Sequence, residues 1–354
     1  MRRLDILPAL DWLRRGPIAL AAFAALASPV HASPVQASDY YAGKTITFLV
    51  GTDTGGGFSL YARAIAKYLA RHIPGNPMIV IRNMPGAGGA VASTWLYHIA
   101  PKDGTAIGSV APNAILGGLL GEGRGGYEPE KFNYLAGAER STRVCVTFHH
   151  SQVRTLQDAL SHSAIIGATS VGSPTREYAS IIKRTTGARF EIVSGYKGPA
   201  DLFVAMERGE IDGICGIDWS ALKGQQPDWL RDGKLNLLVQ GALPPHPELA
   251  SLGVPTPWAY IKDDIDRKAV ELMVEFQQAF GRTYMAPPGV PAEALHVLRS
   301  AFMAVLRDPD FLVDAKNLRI DVTPQAGEHI QRIVEAVHAA PRQVVERLKQ
   351  IVEP

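Results

Sequence analysis

The 354-residue sequence predicts an α/β fold in two blocks, residues 43–140 and 141–243, followed by a helical tail. Three observations carry this. Short apolar runs alternate with amphipathic stretches through both blocks, the pattern of strands joined by crossover helices and so of mainly parallel sheets. Each block opens a helix straight after a strand, through a loop rich in glycine or hydroxyl residues. From residue 264 onward helical patterns dominate. A composition of 46% apolar and 20% charged residues, with 34 Gly and 25 Pro, suits a globular chain with many tight turns.

The first residues read as a targeting segment. Arg2, Arg3, Arg14 and Arg15 flank an apolar run at 18–27 that is too short to span a bilayer comfortably. Val30-His31-Ala32 and Val35-Gln36-Ala37 are small-residue sites of the A-x-A kind. A secretory signal over residues 1–37, cleaved near Ala32 or Ala37, is the expectation. The cysteines lie far beyond the run, which gives no support to a lipoprotein anchor. Removing residues 1–32 takes away four Arg and two Asp, leaving 32 basic and 32 acidic residues of the original 36 and 34. A neutral mature chain offers no electrostatic ground for a nucleic-acid or anionic-membrane partner.

Strands are expected at 45–50, 78–82, 105–110, 144–148, 164–168, 190–193, 211–216 and 235–240. Helices are expected at 58–72, 89–99, 174–186 and 199–208. In the first, Phe58, Tyr61, Ala62, Ile65, Leu69 and Ile73 fall on one face. Ser173 precedes Pro174, an N-cap followed by a proline at the first helical position. The tail reads as helices at 264–280, 291–306, 309–316 and 327–351, with a short strand at 283–286. The two cysteines, Cys145 and Cys215, sit in the strand-like runs RVCVTF and DGICGI. In an oxidising compartment they either pair or stay as buried thiols, and both readings stand at this point.

The loop GTDTGGGF, residues 51–58, is the chemically suggestive stretch. It lacks the Lys-Ser/Thr of a phosphate-binding P-loop, and Leu60 stands where a dinucleotide fingerprint needs its third glycine. The second glycine cluster, residues 85–89, fails in the same way at Val91. What survives is the physics. Glycines let a ligand approach the backbone, and a helix start offers unpaired N–H groups and a positive dipole end. Asp53, Thr54, Gly55, Gly56, Gly57 and Phe58 therefore form a candidate anion site. A second junction, with Thr169, Ser170, Gly172 and Ser173, repeats the device in the other block, or simply caps its helix. Tyr196 and Lys197 supply an aromatic wall and a cation. Asp218 either receives a hydroxyl or amine, or caps the next turn. Asn113 either hydrogen-bonds a ligand or caps a short helix at 115–120.

No G-x-S-x-G, H-E-x-x-H or C-x-x-C motif is present, and nothing in the sequence calls for a cofactor or metal. His149 and His150 are adjacent on a strand end, so they point to opposite faces and cannot readily share one metal.

In combination these motifs resemble the extracytoplasmic solute receptors of the tripartite tricarboxylate transporter family, the Bug receptors. The carriers are Lys44-Thr45-Ile46-Thr47 before VGTDTGGG, Asn83-Met84-Pro85-Gly86-Ala87-Gly88-Gly89, Ala100-Pro101-Lys102-Asp103-Gly104, Val171-Gly172-Ser173-Pro174 and Gly195-Tyr196-Lys197-Gly198. In the tail they are Ala286-Pro287-Pro288-Gly289-Val290-Pro291 and Leu306-Arg307-Asp308-Pro309. The resemblance implies a type II periplasmic-binding-protein fold, with lobe 1 from residues 38–142 plus 281–354 and lobe 2 from 143–280. It implies a small carboxylate held in the interlobe cleft by positions 54–58 and 169–173, with Tyr196, Lys197 and Asp218 shaping the distal end. It further implies a periplasmic monomer without cofactor that delivers a di- or tricarboxylate, or a related organic acid, to membrane permease subunits. A sensor for a receptor kinase and a secreted α/β hydrolase are the alternatives. The first loop departs from the common family form, P-A-G-G-G-x-D. Asp53 precedes the glycines, and Ser59 and Leu60 stand where the aspartate is usual. An acidic Asp53 would disfavour a second anionic group beside it.

Overall fold

The computed structural model describes residues 40–54, 57–119, 125–170 and 173–352. The expected signal segment, residues 1–37, and Gly55, Gly56 and Gly172 lie outside these residues. The described strands are β1 (Thr45–Val50), β2 (Met78–Asn83), β3 (Ala106–Ser109), β4 (Asn133–Gly137), β5 (Arg143–Phe148), β6 (Ala164–Ala168), β7 (Phe190–Ser194), β8 (Gly213–Asp218), β9 (Leu235–Gly241), β10 (Thr283–Ala286) and β11 (Gln325–Ala326). They form two mixed sheets, ordered β11-β4-β10-β3-β1-β2 and β7-β6-β8-β5-β9.

The expectation of mainly parallel sheets holds for two of the five pairings in the first sheet and two of the four in the second. β2-β1-β3 and β7-β6-β8 are parallel, as helical crossovers require. The pairings of β10 with β3 and β4, β11 with β4, and β5 with β8 and β9 are antiparallel. The reason is the chain path. β4 leads through residues 138–142 directly into β5 of the other sheet, and the helix Asp264–Ala279 brings the chain back to β10. Strands entered by such crossings are free of the handed βαβ geometry.

Beneath β1 an aromatic cluster closes the first sheet. The Phe48 ring meets Tyr284 and Phe302 edge-on at 5.5 and 6.1 Å, and all three are fully buried. Burying one such side chain contributes about 1.5–3 kcal/mol. A second apolar cluster is continuous across the crossing, from Leu49 and Tyr134 through Phe276 and Phe280 to Tyr178 and Leu348. The last of these sits on a helix that the sequence reading ran on from residue 327. The structure breaks that helix into Gly327–His338 and Arg342–Val352 at Pro341, which cannot donate a helical hydrogen bond. The second piece buries Val344, Leu348 and Ile351. It lies against the helices Pro174–Thr186 and Asp264–Ala279, with Arg347 bonded to Asp266 and Arg184 to the Gln350 carbonyl. Cys145 on β5 and Cys215 on the neighbouring β8 form a disulfide, both residues buried.

Candidate functional site

The first junction is pinned from below. Asn83, ending β2, donates from Nδ2 to the Thr52 carbonyl at 2.8 Å and to Ser59 Oγ at 3.0 Å. Arg63 bonds the Thr54 carbonyl at 3.0 Å and Ser59 Oγ at 2.9 Å. Asp53, Thr54 and Gly57 are exposed above this support. Gly57 begins the helix Gly57–Leu69, whose first turn carries no acidic residue. Gly51 ties the loop to the next junction through its N–H to the Ser109 carbonyl at 2.9 Å. Asn113 lies there, in the first turn of the helix Pro112–Leu119.

The second junction turns its polar groups on itself. The Thr169 N–H donates to Thr175 Oγ1 at 3.0 Å. Ser173 Oγ donates to the Ser170 carbonyl at 2.6 Å and accepts from the Arg176 N–H at 3.4 Å, capping the helix Pro174–Thr186. Tyr196 and Lys197 are brought alongside, because Gly195 N–H bonds the Thr169 carbonyl at 2.8 Å. Lys197 is exposed, and its N–H meets Asp201 at 3.2 Å. Among the described residues no hydrogen bond or ion pair joins residues 53–58 to 169–173 or 195–197.

Between the sheets lies a charge cluster that the sequence reading met only through Asp218. That residue is buried, and its carboxylate caps the helix Trp219–Gln225 by accepting from the Ala221 N–H at 3.0 Å. Ser220 Oγ donates to it at 2.7 Å, and Ser141 donates to its other oxygen. Glu139, 2% exposed, accepts from the same Ser220 hydroxyl at 2.9 Å. One hydroxyl carries one proton, so both carboxylates cannot receive it at once. Arg282 completes the cluster. Its Nε lies 3.6 Å from Glu139 Oε2, and its guanidinium rests on the rings of Phe58 and Tyr61, 4.8 and 4.9 Å from their centroids. Those rings lie three apart on one helical face, which is why both reach it. Each such contact contributes about 0.5–2 kcal/mol.

The electrostatics divide the two acids. Burial works to raise the Asp218 carboxyl, but Arg143, Arg282 and the Ser141 and Ser220 hydroxyls outweigh it and hold it below the ordinary range. For Glu139, burial and then the Asp218 charge push the carboxyl up, against the pull of Arg282. Arg282 stays charged, because burial is outweighed by Glu139 and Asp218.

A cavity of about 510 Å³ opens beside this cluster, walled by Glu139 and Asp321 from the first sheet's segments and by Ser220, Lys223, His246 and Glu248 from the second's. None of the residues singled out in the sequence lines it. Arg282 and Glu139 were missed because neither belongs to a motif. The only sequence signal for Arg282 is position, a charge immediately before the short apolar strand at 283–286, and Glu139 has none, because the strand it follows shows no pattern.

This architecture is the fold of periplasmic solute-binding proteins. The chain superposes on a TctC solute-binding protein from Polaromonas with a TM-score of 0.67 at 18% identity, over 87% of this chain and 100% of that one. It matches Rpa4515 of R. palustris, solved with adipate, with a TM-score of 0.60 at 20% identity, over 87% and 97% of the two chains. MatC of Rhodopseudomonas palustris, solved with bound malate, gives 0.56 at 20% identity over 88% and 99%. No protein-family model matches the sequence, and no curated protein matches it.

Proposed function

We propose that the protein is an extracytoplasmic receptor that captures a small carboxylate and delivers it to a permease of the tripartite tricarboxylate type. The observation that carries this is the shared fold, over nearly the whole of each chain, with a TctC solute-binding protein and with two proteins solved with adipate and malate. The receptor binds and releases its ligand unchanged and is not an enzyme. Lobe 1 is formed by residues 38–142 and 281–354 and lobe 2 by 143–280, and they close on the ligand about the crossings near 138–142 and 280–282. Closure draws its free energy from the difference in ligand affinity between the closed and open forms. The ligand-facing residues are those of the two junctions, 53–58 and 169–173, with Asn113, Tyr196 and Lys197 beside them. The Cys145–Cys215 bridge suits an oxidising compartment, and the expected signal segment would deliver a monomer to the periplasm.

The test is a thermal-shift screen of the secreted protein against adipate, malate and a panel of mono-, di- and tricarboxylates, with native mass spectrometry for co-purified ligand. A ligand at about 100 times its Kd adds roughly 2.7 kcal/mol of stability. One acid giving a clear shift and returning unaltered is the expected result. No shift from any acid, or chemical turnover of one, would overturn the receptor reading.

A further inference from the structure

The guanidinium of Arg282 and the start of the helix Gly57–Leu69 converge. A Cβ placed on Gly57 would stand 2.8 Å from Arg282 Nη2. Arginine carries five N–H donors in a fixed fork. Among the described residues one of them, on Nη1, meets an acceptor, the Gly281 carbonyl at 2.6 Å, while Nε is buried without a hydrogen-bond partner. The Glu139 carboxylate faces the Nε edge at 3.6 Å, leaving one of its oxygens, Oε2, equally without a partner in a side chain 3% exposed. The Nη2 edge instead lies beside Gly57, the first residue of a helix whose first turn has no acidic residue. Two like-signed ends brought together raise the local potential, and an anion between them lowers it. Phe58 and Tyr61 both pack against the guanidinium, which holds its fork in place before any ligand arrives.

Resting on the receptor reading above, we infer that Arg282 is the ligand-contacting cation of the site, gripping one carboxylate of the solute together with the backbone N–H groups at the start of the helix Gly57–Leu69. This gives the first lobe a charge-assisted contact where the loop sequence promised only backbone donors. It also makes Arg282 the residue that demands an acid rather than an amide or alcohol at that end of the solute. Asp53 is exposed, and among the described residues no hydrogen bond or ion pair joins it to Arg282.

Three variants test it by isothermal titration with adipate, malate and the corresponding monoamides. Arg282→Gln should weaken the acid about 10- to 100-fold, the range of a hydrogen bond to a charged group, and leave the amide nearly unchanged. Arg282→Lys keeps the charge but loses the fork, and should recover part of the loss. In Gly57→Asp the Arg282 fork shifts to admit the new Cβ, and a carboxylate is tethered beside Nη2. This variant should abolish binding while holding or raising the melting temperature, because the new acid pairs with Arg282 and favours the helix start. Wild-type binding with equal affinity in folded Arg282→Gln and Gly57→Asp would overturn the inference and leave the receptor reading standing. Equal affinity of the wild type for acid and amide would do the same. A wild-type protein that binds no acid at all would overturn both.

Discussion

The two strand-to-helix junctions use the same device and leave it in opposite states. Among the described residues of 169–175, the Thr169 N–H and the Thr169, Ser173 and Thr175 hydroxyls bond within the junction, and Ser173 caps its helix. At 51–58 the support comes from below, through Asn83 and Arg63, and the helix start remains exposed with a guanidinium beside it. A self-satisfied loop has little left to offer a ligand except shape. A supported, unsatisfied one is already organised for binding. The difference teaches that affinity should reside mainly on the first-sheet side of the molecule, and stability mainly on the second.

The sharpest test of that division lies in the second sheet. Replacing both Cys145 and Cys215 by Ser opens a loop of 70 residues. The chain-entropy model puts the loss at roughly 4 kcal/mol, read by urea unfolding of oxidised wild type against the double variant. Ligand affinity of the fraction that remains folded should not change. A variant as stable as wild type would show that the bridge does not constrain the unfolded chain.

Next comes the charge cluster at the crossing. Glu139 has a raised pKa in the folded protein, so its contribution is full below the unfolded value of about 4.5 and is lost as pH rises through the folded value. Glu139→Gln removes this linkage. The variant should flatten the pH dependence of stability above pH 4.5, and should gain on wild type as the pH approaches 7. Asp218 has the opposite sign. Its stabilisation is present above the ordinary aspartate value of 3.8 and fades as pH falls through the lowered one. Chemical denaturation between pH 3 and pH 8 separates the two, and parallel profiles for wild type and Glu139→Gln would remove Glu139 from the account.

The smallest effect is expected at Ser173→Ala, about 1 kcal/mol of stability from the lost cap. Its hydroxyl is occupied by Ser170 and Arg176, so affinity should hold. A large affinity loss with unchanged stability would break the comparison, because it would place the second junction in direct charge of the ligand.

Much of this was legible in the sequence, and the reasons differ by element. The helix from Gly57 announces itself by the spacing of Tyr61, Ala62, Ile65 and Leu69, all buried on one side. Ser173-Pro174 reads as a cap and first turn, and is one. β4 was not legible. Asn133–Gly137 is five residues long and buried at all but its first position, so it shows no alternation of inward and outward residues. β11 is two residues, below any pattern. Asp218 offered two readings, receiver of a hydroxyl or cap, and within the protein its carboxylate does both, accepting from Ser220 Oγ and from the Ala221 N–H. Arg282 was beyond reach for a different reason. Its meaning lies in Gly57, Phe58 and Tyr61, more than two hundred residues away, and the chain joins them by crossing between sheets twice.

The helix Arg342–Val352 carries one more consequence, for the order in which the molecule is completed. It covers the helices Pro174–Thr186 and Asp264–Ala279, and Leu348 fills the apolar cluster they share. A chain synthesised N-terminus first has all the strands of its second sheet in hand long before residues 344–351 appear. Until then that sheet's helical cover has an open apolar seam. The final docking is a contact of long sequence separation, slow to form for reasons of loop closure. The cover of the second sheet is thus completed only when the C-terminal helix docks.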